Sequence, residues 1–305
     1  MNAAASSTII RATPAVFVLI WSTGFIVAKF GLPYAPPLTF LSIRYFLSIV
    51  CFLIWIIFSR ATWPRGRRQW LHLAVTGALM HGGYLGGVWV AVKAGMGSGL
   101  AALIVGLQPV LTAVWISWTA SSDKLSGLQN RVTQRQWIGL ALGLGGLLLV
   151  VARKFGTGGE VTVLTLGCTV FALFSITAGT LYQKHFVQLA DVRSANAIQL
   201  AAALLLTLPL ALMETEAIDW RPEFIGAMAW SVLALTLGGS SLLYLLIQRG
   251  AATAVTSLFY LVPPTTALMA WALFGEVITL ATVIGTLLTA LGVSLVVRPA
   301  KRPAA

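Results

Sequence analysis

Long apolar runs follow one another along almost the whole chain, separated by short connectors that are polar or rich in Gly and Pro. The runs lack the two-residue alternation that a membrane β-barrel needs. Most come close to the roughly 20 residues with which a helix crosses the hydrocarbon core, and a helix satisfies its own backbone hydrogen bonds in lipid. The pattern predicts ten transmembrane helices, at about residues 14–32, 37–58, 70–92, 97–118, 135–152, 163–186, 194–213, 223–247, 253–274 and 279–297.

Composition agrees with an all-α integral membrane protein. Of the 305 residues, 58% are hydrophobic and 9% are charged, whereas soluble domains carry about 25% charged residues. The net charge of +12 would suggest nucleic acid in a soluble protein. Here most basic residues lie in short connectors, so no nucleic-acid partner is expected. Cys51 and Cys168 lie in apolar runs without a partner at ligand spacing, so no disulfide, metal or other cofactor is predicted.

Orientation follows from the Lys and Arg residues. If the N-terminus is cytoplasmic, the inner segments hold 14 of them and the outer segments hold 5, as the positive-inside rule requires. Both termini are then cytoplasmic, which fits an even number of spans in the inner (plasma) membrane. No small-residue cleavage site follows the first apolar run, so we expect that run to be a retained helix. The expected partners are the bilayer and a small-molecule substrate; the sequence leaves the oligomeric state open, and a monomer is compatible with it.

The two halves of the chain correspond at one offset of 155 residues. The matched pairs include Gly24 with Gly179, Lys29 with Lys184, Gly83 with Gly238, Gly95 with Gly250 and Pro109 with Pro264. Five helices in each half reverse the direction in which the second half enters the membrane. This predicts two inverted repeats with a solute site between them. The chain then divides into a cytoplasmic segment 1–13, five-helix repeats 14–152 and 163–297, and a cytoplasmic tail 298–305.

Several short motifs resemble the EamA family of the drug/metabolite transporter superfamily. They are the Trp-Ser-Thr-Gly-Phe stretch at 21–25, the Pro-Pro pair and Arg-Tyr pair within 36–45, and the stretch 263–285 with its Phe-Gly-Glu and Ile-Gly motifs. The resemblance covers nearly the whole chain and implies ten helices in two inverted five-helix repeats. It usually implies export of metabolites such as amino acids, or of toxic compounds. Residues 121–124 lack the expected Gly-Glu pair, so we do not expect its second-half counterpart, Glu276, to be a symmetric functional element.

Arg44 lies about seven residues into the second span. Placing a charged side chain near the middle of the membrane costs about 2.5 kcal/mol or more. The side chain should therefore face a cavity, pair with another group or reach the membrane–water interface. One interpretation places Arg44 in a cavity, where it meets a substrate carboxylate or a helix C-terminal carbonyl. The other has its side chain snorkel to the outer headgroups. Its repeat mate Gln199 is polar but neutral, which mildly favours the cavity.

His81 lies in the third span, before two Gly-Gly pairs at 82–83 and 86–87. A membrane histidine can relay protons, or it can donate one hydrogen bond to a neighbouring helix. The glycines either permit close helix packing or leave a gap that forms the solute path.

Prolines and deep aromatic residues complete the candidate site. Pro109, Pro263 and Pro264 should break the hydrogen-bond ladders of the fourth and ninth spans and act as hinges. Aromatic walls bind apolar solutes with few hydrogen bonds. The candidates for a substrate cavity are Trp21, Arg44, His81, Tyr84, Gln108, Tyr182, Gln199, Tyr244 and Tyr260.

The predicted function is transport without ATP. Walker, HExxH and GxSxG motifs do not occur, so no enzyme activity is expected. We expect a secondary transporter that works by alternating access and exports small metabolites such as amino acids, or drug-like compounds. Its energy would come from the solute gradient or from protons relayed by His81. The alternatives are a membrane-embedded enzyme and a non-transporting receptor or scaffold. The acids within 214–223 are the one cluster an enzyme could use, and we expect them to form a solvated loop.

Overall fold

The computed structural model describes residues 3–120, 134–154, 159–248 and 261–297, and within these ranges every regular element is helical. The α-helices are α1 (Ala3–Gly31), α2 (Pro37–Ser59), α3 (Arg67–Gly77), α4 (Tyr84–Lys93), α5 (Ser98–Val105), α6 (Gln108–Ala120), α7 (Gln134–Lys154), α8 (Val163–Phe186), α9 (Val192–Ala211), α10 (Pro222–Trp230), α11 (Ser241–Gln248), α12 (Val262–Phe274) and α13 (Leu280–Val297). Two π-helical segments join α3 to α4 (Ala78–Gly83) and α10 to α11 (Ser231–Ser240).

Among the described residues, five helical stretches are long and apolar enough to cross a membrane. They are Pro37–Ser59, Arg67–Lys93, Val163–Phe186, Val192–Ala211 and Pro222–Leu245. Five further apolar stretches are shorter: Val16–Gly31, Ser98–Thr112, Trp137–Ala152, Val262–Phe274 and Leu280–Leu295. Each stretch overlaps one of the apolar runs of the sequence. The chain is therefore a multi-pass membrane protein that is all-helical over the described residues, with five candidate spans by length and composition.

The two π-helical segments lie in the middle of their spans. A π turn widens the helix and is frequent at functional sites. In the second segment, side-chain hydroxyls bond the carbonyls that lie five residues earlier. Thr236 Oγ1 donates to the Ser231 carbonyl at 2.8 Å, and Ser240 Oγ donates to the Leu235 carbonyl at 3.4 Å. Polar side chains thus stabilise backbone that departs from the α-helical pattern.

Two glycines let α8 approach the span formed by α3 and α4 closely. A Cβ on Gly83 would lie 2.7 Å from Ser175 Oγ, and one on Gly87 would lie 2.6 Å from the Cys168 carbonyl oxygen. Both neighbours belong to α8, which packs along this span. These glycines therefore serve close helix packing, the first of the two interpretations considered for them.

The start of α2 is capped by a residue far away in the chain. Its N-cap residue, Pro36, has no capping side chain. The Glu214 carboxylate instead accepts from the N–H groups of Leu38 at 3.0 Å and Thr39 at 2.7 Å. Helix N-termini attract carboxylates because their first N–H groups lack partners and carry partial positive charge. The expectation of a solvated loop at 214–223 is therefore wrong for Glu214.

The start of α5 is capped in the same way by Glu276. Its N-cap residue, Gly97, has no side chain, and the Glu276 carboxylate accepts from Ser98 N–H at 2.9 Å. The same carboxylate pairs with Lys29 Nζ at 2.7 Å. Nearby, Lys93 Nζ pairs with Glu216 at 2.5 Å. We call the region formed by Lys29, Lys93, Glu214, Glu216 and Glu276 the ion-paired end of the bundle.

By contrast, α9 carries its own cap. The Asp191 side chain accepts from Arg193 N–H at 2.9 Å, and it also forms an ion pair with the Arg193 guanidinium at 2.6 Å. Hydrogen bonding from Arg193 lowers the pKa of Asp191, because it stabilises the carboxylate form. Asp191 is the position that corresponds to Pro36 at the 155-residue offset. The cap that the second half encodes locally is therefore supplied to the first half from elsewhere.

Candidate functional site

A cavity lies between α1, α2, α8, α9 and the two spans that contain π-helical segments, and about 40 Å³ of it is open to the centre of a water-sized sphere. One water needs roughly 10–15 Å³ on this measure, so the cavity has room for a few waters in this conformation. Six of the nine cavity candidates line it: Trp21, Arg44, His81, Tyr84, Gln199 and Tyr244. Most of the remaining wall is apolar, formed by Phe25, Met80, Leu85, Val88, Trp89, Ile176, Leu235 and Leu243.

The Arg44 side chain points inward from α2 and is 4% exposed. Its Nε donates to Thr236 Oγ1 at 3.0 Å, across the cavity helices. Thr236 can accept this bond because its own hydroxyl proton is donated to the Ser231 carbonyl. The structure therefore decides against the snorkelling alternative, in which Arg44 would reach the headgroups.

His81 occupies the first π-helical segment and is buried. Its backbone carbonyl accepts from Tyr45 Oη at 2.7 Å. Its side chain interacts with the side chain of Gln199, whose Nε2 in turn donates to Gln183 Oε1 at 3.3 Å. His81, Arg44 and Gln199 thus form the polar part of the cavity wall.

Aromatic side chains form much of the remaining surface. Trp21 stacks on Phe17 with ring centroids 5.4 Å apart, which fixes the plane of its indole. Tyr84 and Trp89 come from α4, and both are buried. Tyr244 packs among apolar residues of α3 and α9, at the opposite end of the bundle from the ion-paired end. The cavity therefore offers flat apolar faces beside a small polar patch.

The other three cavity candidates do not line this cavity. Gln108 Nε2 donates to Thr180 Oγ1 at 3.0 Å, which links α6 to α8. Tyr182 Oη is 2.8 Å from His72 Nδ1, which links α8 to α3. Both residues use their polar atoms to join helices. Tyr260 lies outside the described residues.

The proline candidates differ in their surroundings. The fourth apolar run breaks at Gly106 and Leu107, and Pro109 follows in the first turn of α6. Pro263 and Pro264 lie in the first turn of α12, where a missing N–H breaks no internal helix bond. A Cβ on Gly106 would lie 2.7 Å from Pro263 Cγ, so the break in the fourth run contacts the start of α12. The role of these prolines as hinges stays a prediction.

Gln183 and Thr236 were missed by sequence reasoning. Both are polar residues in apolar runs, and both are buried. Gln183 precedes Lys184, and a lysine near the end of a span is typical of the membrane–water interface, so no cavity role was predicted there. Thr236 corresponds to His81 at the 155-residue offset. Since His81 was a cavity candidate, this correspondence could have identified Thr236 as a second one.

Comparison with known proteins agrees with this architecture. The EamA-like transporter family matches residues 13–152 and 164–298. YedA of Escherichia coli strain K12, an uncharacterized inner membrane transporter, is 26% identical over 266 residues, or 86% of this chain and 81% of that protein. A Salmonella typhimurium protein named as a probable amino-acid metabolite efflux pump is 26% identical over 195 residues, or 64% of this chain and 60% of that protein.

One solved crystal structure superposes with a TM-score of 0.64 at 18% identity, over 95% of this chain and 96% of that chain. At this identity the likeness shows the fold alone. The family match, in contrast, covers both halves of the sequence. This multi-pass membrane protein therefore belongs to the EamA-like transporter family.

Proposed function

We propose that the chain is a secondary transporter that carries a small solute through the cavity by alternating access between two inverted five-helix repeats. The observation that carries the proposal is the composition of the cavity wall. Twelve of its residues form pairs at the 155-residue offset: Trp21 with Ile176, Arg44 with Gln199, Met80 with Leu235, Leu85 with Ser240, Val88 with Leu243, and Trp89 with Tyr244. Both halves thus contribute corresponding positions to one cavity, as inverted repeats do.

Two polar contacts support the same symmetry. Arg44 of the first half bonds Thr236 of the second half, and Gln199 of the second half contacts His81 of the first half. Gln199 corresponds to Arg44, and Thr236 corresponds to His81. The two contacts therefore join the same pair of corresponding positions, once from the first half to the second and once from the second half to the first. Such a pseudo-two-fold axis lets the two halves exchange conformations and move the opening from one side to the other.

The contacts between corresponding helices also fit this arrangement. α2 packs on α9, α5 on α12, and α7 on α13, so the second, fourth and fifth spans of one half each contact their counterpart in the other. With the five shorter apolar stretches counted as spans, the bundle has ten. We propose that both termini are cytoplasmic and that the chain lies in the inner membrane, as the Lys and Arg distribution and the relatives' names suggest.

The direction we propose is export of small metabolites. The Salmonella relative named as an amino-acid metabolite efflux pump supports this direction. His81 stays the candidate for a proton relay, since it is the histidine in the cavity wall. A proton on His81 would place a second positive charge beside Arg44, so we expect protonation to require a bound anion.

Filling the cavity tests whether it is the transport path. Gly24 lines the cavity, and a Cβ there would lie 3.7 Å from its nearest neighbour, Leu235. Gly24→Leu should therefore fold and reduce solute flux in proteoliposomes by about tenfold or more, because the added side chain occupies the binding space. Gly226→Leu is the matched control, because nothing lies within 4 Å of that position in α10.

The flux assay uses a panel of amino acids, organic acids and amines. Unchanged flux for the filled cavity would contradict the proposed path. Absence of flux for every solute, with folded wild-type protein, would contradict transport itself.

A further inference from the structure

Arg44 carries a buried positive charge that has no counterion among the described residues. The described ion pairs join Lys29 to Glu276, Lys93 to Glu216, Arg193 to Asp191 and Arg221 to Asp219. None of these residues, and none of the other described acidic residues, lines the cavity wall. A buried charge that lacks a partner destabilises the folded protein. Packing alone does not explain why an arginine occupies this position.

The Arg44 side chain is held in one orientation by its Nε. That group donates to Thr236 Oγ1 at 3.0 Å. Within the described part of the chain, no acceptor is paired with either Nη group of Arg44. A guanidinium held through Nε presents its two Nη groups as a planar pair of donors. This pair matches the two oxygens of a carboxylate.

The positive charge of Arg44 also has no equivalent at the corresponding position of the second half. Gln199 occupies the corresponding position in the second half and bears no charge. Most of the remaining wall is aromatic or aliphatic, with Trp21, Trp89 and Leu243 among its members. The cavity therefore has one cationic position and apolar faces, and no described carboxylate is available to hold a ligand's ammonium group.

We propose that the cavity takes carboxylates with an apolar or aromatic body, and that Arg44 pairs with the carboxylate. This inference rests on the proposed transport function and names the class of its substrate. The bound carboxylate supplies the counterion that Arg44 lacks, while the aromatic walls cover the apolar body. A zwitterionic amino acid binds less well in this arrangement, because its ammonium group loses water without gaining an anionic partner.

The test compares solutes that differ only at the charged group. We propose 3-phenylpropanoate, its primary amide 3-phenylpropanamide, and phenylalanine. Binding is followed by the fluorescence of the purified protein, which contains 11 Trp, and flux is followed in proteoliposomes. Wild-type protein should bind the carboxylate about tenfold or more tightly than the amide, since a bidentate charge-assisted pair is lost. Equal binding and equal flux of acid and amide would overturn the proposal while leaving transport itself intact.

Two variants separate a ligand-binding role from a structural one. Arg44→Gln, which copies the neutral residue of the second half, should lose the preference for the acid. It should also raise the melting temperature of the ligand-free protein, because the unpaired charge is gone. Arg44→Lys keeps the positive charge but lacks the planar pair of Nη donors, so it should retain part of the preference for the acid over the amide.

Arg221→Gln is the control, since Arg221 is exposed and paired outside the cavity. A lower melting temperature for Arg44→Gln with the preference for the acid unchanged would show that Arg44 is structural. If Arg44→Gln does not fold, the wild-type comparison of acid and amide still decides the proposal. If no solute in the panel binds or moves, the proposed function fails together with this inference.

Discussion

Two successive residues of α2 hold the two π-helical segments. Arg44 Nε donates to Thr236 in the second segment, and Tyr45 Oη donates to the His81 carbonyl in the first. Consecutive side chains on a helix point about 100° apart, so one helix can reach two neighbours. At the scale of the residue, α2 therefore contacts both π-helical segments, through a backbone carbonyl in the first and through the Thr236 side chain in the second.

Replacing Tyr45 by Phe tests this role. The variant removes one buried donor and leaves the His81 carbonyl with one bond fewer. We expect the free energy of unfolding to fall by about 1–2 kcal/mol, the usual cost of a buried polar group that loses its partner. Thermal unfolding in detergent measures the change.

Tyr34→Phe is the control, because no hydrogen bond of the Tyr34 hydroxyl occurs among the described residues. Equal melting temperatures for the two variants would mean that the Tyr45 bond does not stabilise the π-helical segment.

At the scale of the element, the first half depends on the second for two helix starts. α2 and α5 begin after Pro36 and Gly97, which cannot cap a helix through a side chain. Glu214 and Glu276 supply the missing acceptors from positions more than 170 residues away. The sequence predicted where these helices lie, because apolar runs are local. It did not predict their caps, because the partners meet only when the bundle is assembled.

Glu276→Gln should weaken the start of α5. The amide still reaches Ser98, but it loses its charge and with it the ion pair to Lys29. We expect a loss of about 1 kcal/mol in local stability, as for other caps. Hydrogen exchange of the Ser98 and Gly99 amides should become about fivefold faster, since that energy corresponds to such a factor.

Glu223→Gln, an exposed acid in the first turn of α10, is the matched control. It should leave exchange in α5 unchanged. If both variants leave exchange at Ser98 and Gly99 at the wild-type rate, Glu276 does not stabilise this helix start.

At the scale of the whole molecule, the ion-paired end joins the two halves. Lys29 and Lys93 belong to the first half, and Glu214, Glu216 and Glu276 belong to the second. If the halves exchange conformations during transport, these contacts have to separate whenever the cavity opens at that end. The asymmetry of Glu276 noted in the sequence then has a structural meaning, because the acid serves one end of the bundle while the corresponding position of the first half is Ser121.

Cross-linking this end should stop transport. Cysteines replace Lys29 and Glu276 in a background with Cys51→Ala and Cys168→Ala, and a short cleavable thiol cross-linker joins them. Flux in proteoliposomes should fall on cross-linking and return after cleavage, because alternating access requires the end to open.

Each single-cysteine variant, treated with the same reagent, is the control for modification without bridging. Full flux through the cross-linked protein would show that this end does not open during transport.

The sequence by itself determined the class of protein, the places of its apolar helices and its family. The class and the helix positions follow from lipid solvation, which acts on each run of residues separately, whereas the family follows from short motifs in the sequence. The offset of 155 residues also indicated which positions could meet at the centre, and Trp21, Arg44, His81, Tyr84, Gln199 and Tyr244 do line one cavity. Gln108 and Tyr182, chosen by the same reasoning, bond to neighbouring helices instead. Polarity within an apolar run does not reveal which way a side chain faces.

Only the tertiary structure decided that Arg44 faces inward, that π turns interrupt two spans, and that Glu214 and Glu276 cap helices of the other half. Each depends on the rotation of a helix about its own axis and on neighbours distant in the chain. A 20-residue apolar run is compatible with any rotation, because lipid favours all apolar faces alike. Packing between helices selects one rotation, and with it the set of polar groups that share the cavity.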